Sequence, residues 1–99
     1  ITDAALILLI LDIAHPLAKK KEQAVYKVLE EIGVKEKPII TVLNKTDKIS
    51  DERKDYLRIE YPAGVFISAL HGKGLDILVD EIKKQLYYYE SRLEMYIPD

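Results

Sequence analysis

This sequence predicts an α/β fold: a parallel sheet layered between flanking helices, in three layers. Three observations lead there. Ala4–Leu11, Pro38–Leu43 and Gly64–Ile67 are short runs, apolar or rich in β-branched residues, with the length and composition of strands. The first is apolar at every position rather than alternating, as expected of a parallel strand buried on both faces. The segments between and after the runs repeat their apolar residues with the 3.6-residue helical period, so strand and helix alternate along the chain.

Taken in order, Ala4–Leu11 stops at Asp12, and Asp12, His15 and Pro16 form its exit loop. Asp12 is within reach of the site at the strand ends, but is expected rather to cap that loop, and His15 to serve the loop or its packing. A helix from about Leu17 to Ile32 carries Val25, Val28, Leu29 and Ile32 as one apolar stripe. Lys19-Lys20-Lys21 opens it against the helix dipole and reads as a solvated face, with an RNA or partner contact as the alternative. Gly33 is placed to end it in the left-handed conformation. After the second run, Ser50 is a candidate N-cap for a short helix over Asp51–Ile59, with Asp51 and Glu52 well placed in its first turn. Only Tyr56, Leu57 and Ile59 are apolar there, so weak packing is expected, and Tyr61-Pro62 ends it. Beyond Gly64–Ile67, Gly72 and Gly74 are turn residues. Leu75, Leu78, Val79, Ile82 and Leu86 define a last helix over about Leu75–Leu86, with Lys83 and Lys84 expected near its end. Tyr87-Tyr88-Tyr89 reads as a helix end, with a stacking platform for RNA bases as the alternative. From Leu93 to Ile97 the apolar period becomes two, which predicts a strand beginning a further element.

The functional signal lies where two of these strands end. In open α/β sheets, ligands bind at the carboxyl ends of strands. Asn44-Lys45-Thr46-Asp47 follows the second run directly, and its chemistry suits guanine. Asp47 can accept two hydrogen bonds, from the ring N1–H and the exocyclic amine, whereas adenine offers no such donor pair and would leave the carboxylate unpaired. Asn44 offers an amide donor to the O6/N7 edge, and Lys45 can lay its methylene stem along one face of the ring. The four residues also describe an ordinary polar loop. The second loop, Ser68-Ala69-Leu70-His71-Gly72-Lys73-Gly74, favours the guanine reading: its small residues let backbone approach a planar base, the Ala69 N–H can donate to O6, and Ser68 can orient Asp47. His71 is expected to be exposed on this loop.

NKTD followed by SALHGKG resembles the fourth and fifth signature motifs of the P-loop GTPases. The wider pattern of LILDIAHP, Gln23, VLEEIG, PIITVLNKTD, YPAGVFISAL and GKGLDILVDEI resembles the C-terminal half of the G domain in the HflX family of ribosome-associated GTPases. The resemblance implies a partial P-loop NTPase fold containing the fourth, fifth and sixth strands of a G domain with their helices. It implies residues 1–90 as that half-domain and residues 91–99 as the start of a C-terminal extension. Its guanine-specificity positions fall on Asn44, Lys45, Asp47, Ser68 and Ala69, and on Leu70, which stands where many members have lysine. It further implies GTP or GDP as ligand, Mg2+ in the full-length protein only, the large ribosomal subunit as partner and a cytoplasmic location.

Composition agrees and sets bounds. Ninety-nine residues allow one small domain, and 48% hydrophobic with 32% charged residues is the balance of a soluble globular one. A net charge of −2 gives no support to a strongly nucleic-acid-binding surface, and the absence of cysteine excludes a disulfide or thiolate metal site. Ala4–Leu11 is too short to span a membrane and has no basic flank of the signal-peptide kind, so no membrane partner is expected. The 99 residues contain no G-x-x-x-x-G-K-[ST] loop, no D-x-x-G segment and no switch threonine, so the chain by itself is expected not to hydrolyse GTP. Beginning without methionine, it reads as a piece of a longer protein. The first strand would then lack the neighbour that bears the phosphate-binding loop, and its free edge predicts self-association. The alternative function is a non-catalytic α/β interaction module that keeps the fold without binding nucleotide. A receiver-like regulator is disfavoured because Asp12 alone makes no phosphoacceptor cluster.

Overall fold

A computed structural model describes residues 4–33, 37–89 and 92–98. The elements are β1 (Ala4–Asp12), α1 (Ala18–Glu31), β2 (Ile39–Asn44), α2 (Asp51–Glu60), β3 (Val65–Phe66), α3 (Leu75–Tyr89) and β4 (Arg92–Tyr96), with a 3-10 turn at Thr46–Lys48. The strands form one sheet in the order β3-β2-β1-β4. Every pairing is parallel. In register, β1 and β2 run from Ile7 opposite Ile39 to Asp12 opposite Asn44.

The three-layer expectation holds. Side chains alternate across β1, and both faces are apolar because both are covered. On one face Leu6, Leu8, Ile40, Val42, Val65 and Ile67 pack under α3 through Leu78, Ile82 and Leu86. On the other, Leu9, Leu11, Ile13 and Leu43 meet Leu57 of α2, and Ile7 meets Leu29 of α1. Leu6, Ile7 and Leu9 are fully buried, each removing about 1.5–3 kcal/mol worth of side chain from water. The layering follows from crossover handedness: β1 to β3 step in one direction, placing α1 and α2 together, and the return to β4 places α3 on the opposite face.

Several local expectations are met. Gly33 has φ +77° and ends α1. Ser50 Oγ accepts from the Arg53 N–H at 3.1 Å, capping α2. His15 is a loop residue whose Nδ1 accepts from the Leu17 N–H at 2.9 Å, just ahead of a helix start with no side-chain cap of its own.

Others need correction. The stripe on α1 is only partly buried: Leu29 is covered, but Val28 and Ile32 are exposed, and Glu22 takes a buried place. Glu22 tolerates this because Tyr61 Oη donates to its carboxylate at 2.6 Å and Lys19 Nζ lies 3.6 Å away. Burial and the Glu22 bond hold the Tyr61 phenol well above its usual range. Lys19 is largely exposed, as expected of a solvated face, and also pairs with Glu60 at 3.3 Å, joining α1 to α2. Of the apolar residues on α2 only Leu57 is buried. β3 spans two residues instead of four, because the Ile67 carbonyl turns to serve the Thr46 N–H. α3 continues to Tyr89, so Lys83 and Lys84 sit in mid-helix with no basic residue in its last turn. The side chains of Tyr87-Tyr88-Tyr89 lie outside the described residues.

The largest correction concerns the edge of β1, which is not free. β4 pairs along it from Ala4 opposite Arg92 to Leu9 opposite Tyr96, with a register shift between Ala4 and Leu6. The alternating Leu93–Ile97 segment is a strand as predicted, but it joins the existing sheet. With β1 flanked on both sides, the ground for self-association through that edge is removed.

Candidate functional site

Two loops leave neighbouring strands β2 and β3 at the same edge of the sheet, and the fold ties them together before any ligand is considered. Thr46 is the knot. Its N–H and its Oγ1 both donate to the Ile67 carbonyl, at 3.2 and 2.9 Å, and the residue is buried. A buried hydroxyl satisfied in this way fixes the spacing of the loops. Thr46 occupies the variable position of Asn-Lys-x-Asp, so the motif by itself assigns it no role.

The second loop is closed on itself by reciprocal bonds between Ser68 and Lys73, at 2.9 and 3.1 Å. Gly72 and Gly74 adopt φ +67° and +78°. At Gly74 glycine is required twice over, since a Cβ there would collide with the Phe66 carbonyl oxygen.

Asn44, Asp47, Ser68 and Ala69 converge. Ser68, fully buried, donates from Oγ to Asp47 Oδ1 at 2.8 Å. His71, exposed as expected, brings Nε2 within 3.4 Å of Asp47 Oδ2, a proximity that no local pattern signals. An ionised carboxylate offers about four acceptor positions. Ser68 takes one on Oδ1 and His71 lies beside Oδ2, which leaves acceptor capacity on the carboxylate for a pair of donors. The Ser68 bond, chiefly, holds the Asp47 carboxyl below its usual range. Partial burial opposes it, and the residue's own backbone N–H and the charges of His71 and Lys48 assist.

Asn44 Oδ1 accepts from the Lys45 N–H at 2.8 Å and the Ala69 N–H at 3.0 Å. Its oxygen is committed to joining the loops, and its NH2 remains as a donor. The Ala69 N–H, expected to face a ligand carbonyl, points to Asn44 instead. Lys45 has φ +69°, the only positive value at a non-glycine among the described residues. Its Nζ lies 2.7 Å from Asp12 Oδ2. Asp12 also accepts from the Ala14 N–H at 3.0 Å, so it caps its loop as expected and reaches Lys45 besides. Leu70 sits at the loop tip, 80% exposed.

A cleft lined by Ile39, Thr41, Glu60, Tyr61, Pro62, Ala63 and Gly64 does not include these residues. Among the described residues no group of three or more His, Cys, Asp or Glu is arranged to hold a metal ion, and no helix is long and apolar enough to cross a membrane.

The arrangement is an acceptor pair flanked by an amide donor and a lysine stem, built from Asn-Lys-x-Asp and Ser-Ala-Leu. Known proteins carry similar sequence. The chain is 36% identical over 80 residues, 80% of its own length, to GTPase HflX of Treponema denticola. It is 37% identical over 71 residues to GTPase HflX of Chlamydia pneumoniae, and 46% identical over 55 residues to GTPase Der of Rickettsia akari. These matches cover 71% and 56% of the chain. It spans only 20%, 15% and 12% of those relatives' lengths. No family model and no solved structure matches.

Proposed function

The chain is part of a G domain of the P-loop GTPases, and on that premise we propose that it supplies the guanine-recognition half of a nucleotide site. The observation that carries the reading is the Ser68-oriented carboxylate of Asp47, held by the Thr46–Ile67 knot beside Asn44 and Ala69. Guanine N1–H and the exocyclic amine donate to the Asp47 carboxylate. The Asn44 NH2 donates to the N7/O6 edge, and the Lys45 stem covers one ring face. Ala69 N–H reaches O6 only by sharing or leaving its bond to Asn44. Leu70 contributes backbone, its exposed side chain having no polar group to offer. Adenine presents an acceptor and no donor pair to Asp47, and is rejected by the unpaired charge.

The reading extends to the longer protein. There, a phosphate-binding loop and Mg2+ complete a GTP-hydrolysing site, since phosphoryl transfer depends on parts these 99 residues do not contain. The resemblance to HflX proteins supports a cytoplasmic protein acting at the large ribosomal subunit. With a net charge of −2, RNA contacts would fall to other parts of that protein.

Titration of the chain with GDP and ADP, followed by NMR, tests the core of this reading. Weak GDP binding is expected, absent with ADP and lost in Asp47→Ala, while Asp47→Asn shifts preference toward xanthosine diphosphate, whose C2 carbonyl accepts from the new amide. Equal response to GDP and ADP, or GDP binding unchanged in Asp47→Ala, would overturn it in favour of an interaction module that keeps the fold alone.

A further inference from the structure

We propose that Asp12 is a positioning residue for base recognition, clamping Lys45 so that its aliphatic stem forms a fixed wall of the guanine site. The inference rests on the guanine reading and adds a residue from β1 to a site otherwise built from the ends of β2 and β3.

Lys45 is held at both ends. At its backbone, the N–H donates to Asn44 Oδ1 at 2.8 Å, accompanying the left-handed φ of +69°. Side chains with a Cβ avoid that conformation unless their surroundings impose it. At its tip, Nζ donates to Asp12 Oδ2 at 2.7 Å. Asp12 is in turn fixed by the Ala14 N–H on Oδ1 at 3.0 Å and by its place opposite Asn44 in the β1–β2 register. The stem between the clamps therefore bridges the C-terminal ends of both strands. An unanchored lysine would lose rotamer freedom on packing against a ring, and the clamp removes that loss in advance.

The pair is short, at 2.7 Å, and half-exposed, with side-chain exposures of 43% for Lys45 and 33% for Asp12. Its partners are 33 residues apart in sequence, and the Ala14 N–H on Oδ1 favours the carboxylate orientation that meets Lys45. Burial works to raise the Asp12 carboxyl. The Lys45 bond, the Ala14 N–H and the charges of Lys45 and His15 outweigh it and leave the group lowered. A purely structural pair fastening β1 to β2 predicts the same contact but no effect on nucleotide binding, and this separates the two.

The test compares the chain with Asp12→Asn, which keeps the acceptor for Ala14, with Lys45→Met, which keeps the stem, and with the double variant. Amide spectra check the fold of each. Without ligand, the Asp12 carboxyl is followed by NMR titration; if Lys45→Met does not raise it, the clamp does not exist and the proposal is overturned. GDP and inosine diphosphate are then titrated. Asp12→Asn is expected to weaken both by the same factor, roughly threefold to tenfold, because the stem contacts the ring face and ignores the exocyclic amine. The Asn change is expected to have no further effect in the Lys45→Met background. Asp47→Ala, by contrast, loses GDP binding, because the carboxylate meets the N1–H and the exocyclic amine rather than the ring face. If Asp12→Asn binds both as the parent chain does while Asp47→Ala loses GDP, the inference fails and the guanine reading stands. If no guanine nucleotide binds the parent chain, both fall.

Discussion

Asp47 is the acceptor around which the two loops are arranged. Its carboxyl is lowered, mainly by the Ser68 hydroxyl, so the folded state prefers it ionised. The sign follows: its contribution to stability is complete above the ordinary carboxyl value of about 3.9 and is lost as pH falls through the lower folded value. Asp12 and Glu60, also lowered, act in the same direction. Urea unfolding measured from pH 6 downward should therefore show a decline in stability below about pH 4. Asp47→Asn, which cannot titrate, should decline less steeply over that range. An identical profile for the two chains would show that the Ser68 contact does not favour the charged form. Lys45 shows where local reading stops: its left-handed backbone and its tie to Asp12 are set by residues on another strand.

At the scale of elements, α2 depends on its cap more than on its packing. It buries Leu57 alone, while Ile59 is 82% exposed. Ser50→Ala, which removes the acceptor for the Arg53 N–H, should cost about 1 kcal/mol of unfolding free energy by chemical denaturation. Ser50, Gly33 and Gly74 were legible in advance because caps and left-handed turns are local chemistry. The short β3 was not, because the bond that ends its ladder runs from Thr46 to Ile67 across 21 positions of chain. The exposure of Val28 and Ile32 was equally hidden: periodicity locates an apolar stripe, but the neighbouring elements decide how much of it is covered.

For the whole molecule, β4 completes the sheet. It closes the edge of a strand whose Leu6, Ile7 and Leu9 are fully buried. Deleting residues 92–99 would leave the backbone donors and acceptors of β1 unpaired along that edge, the situation in which strands recruit other chains. The shortened chain should therefore associate in sedimentation experiments at concentrations where the 99-residue chain is monomeric. Equal behaviour of the two would show that β4 does not protect the edge.

The alternation of apolar runs with helical periods was enough to determine an α/β sheet with both faces covered, because burial on two sides requires apolar residues at every strand position. Likewise, the carboxylate, amide and small-residue loop were legible as groups suited to guanine. Tertiary structure alone decided their partners: Ser68 and His71 on Asp47, Ala69 on Asn44, Asp12 on Lys45, and β4 beside β1. Propensity and spacing act over a few residues, whereas each of these contacts joins segments that only the packed sheet brings within a hydrogen bond's reach.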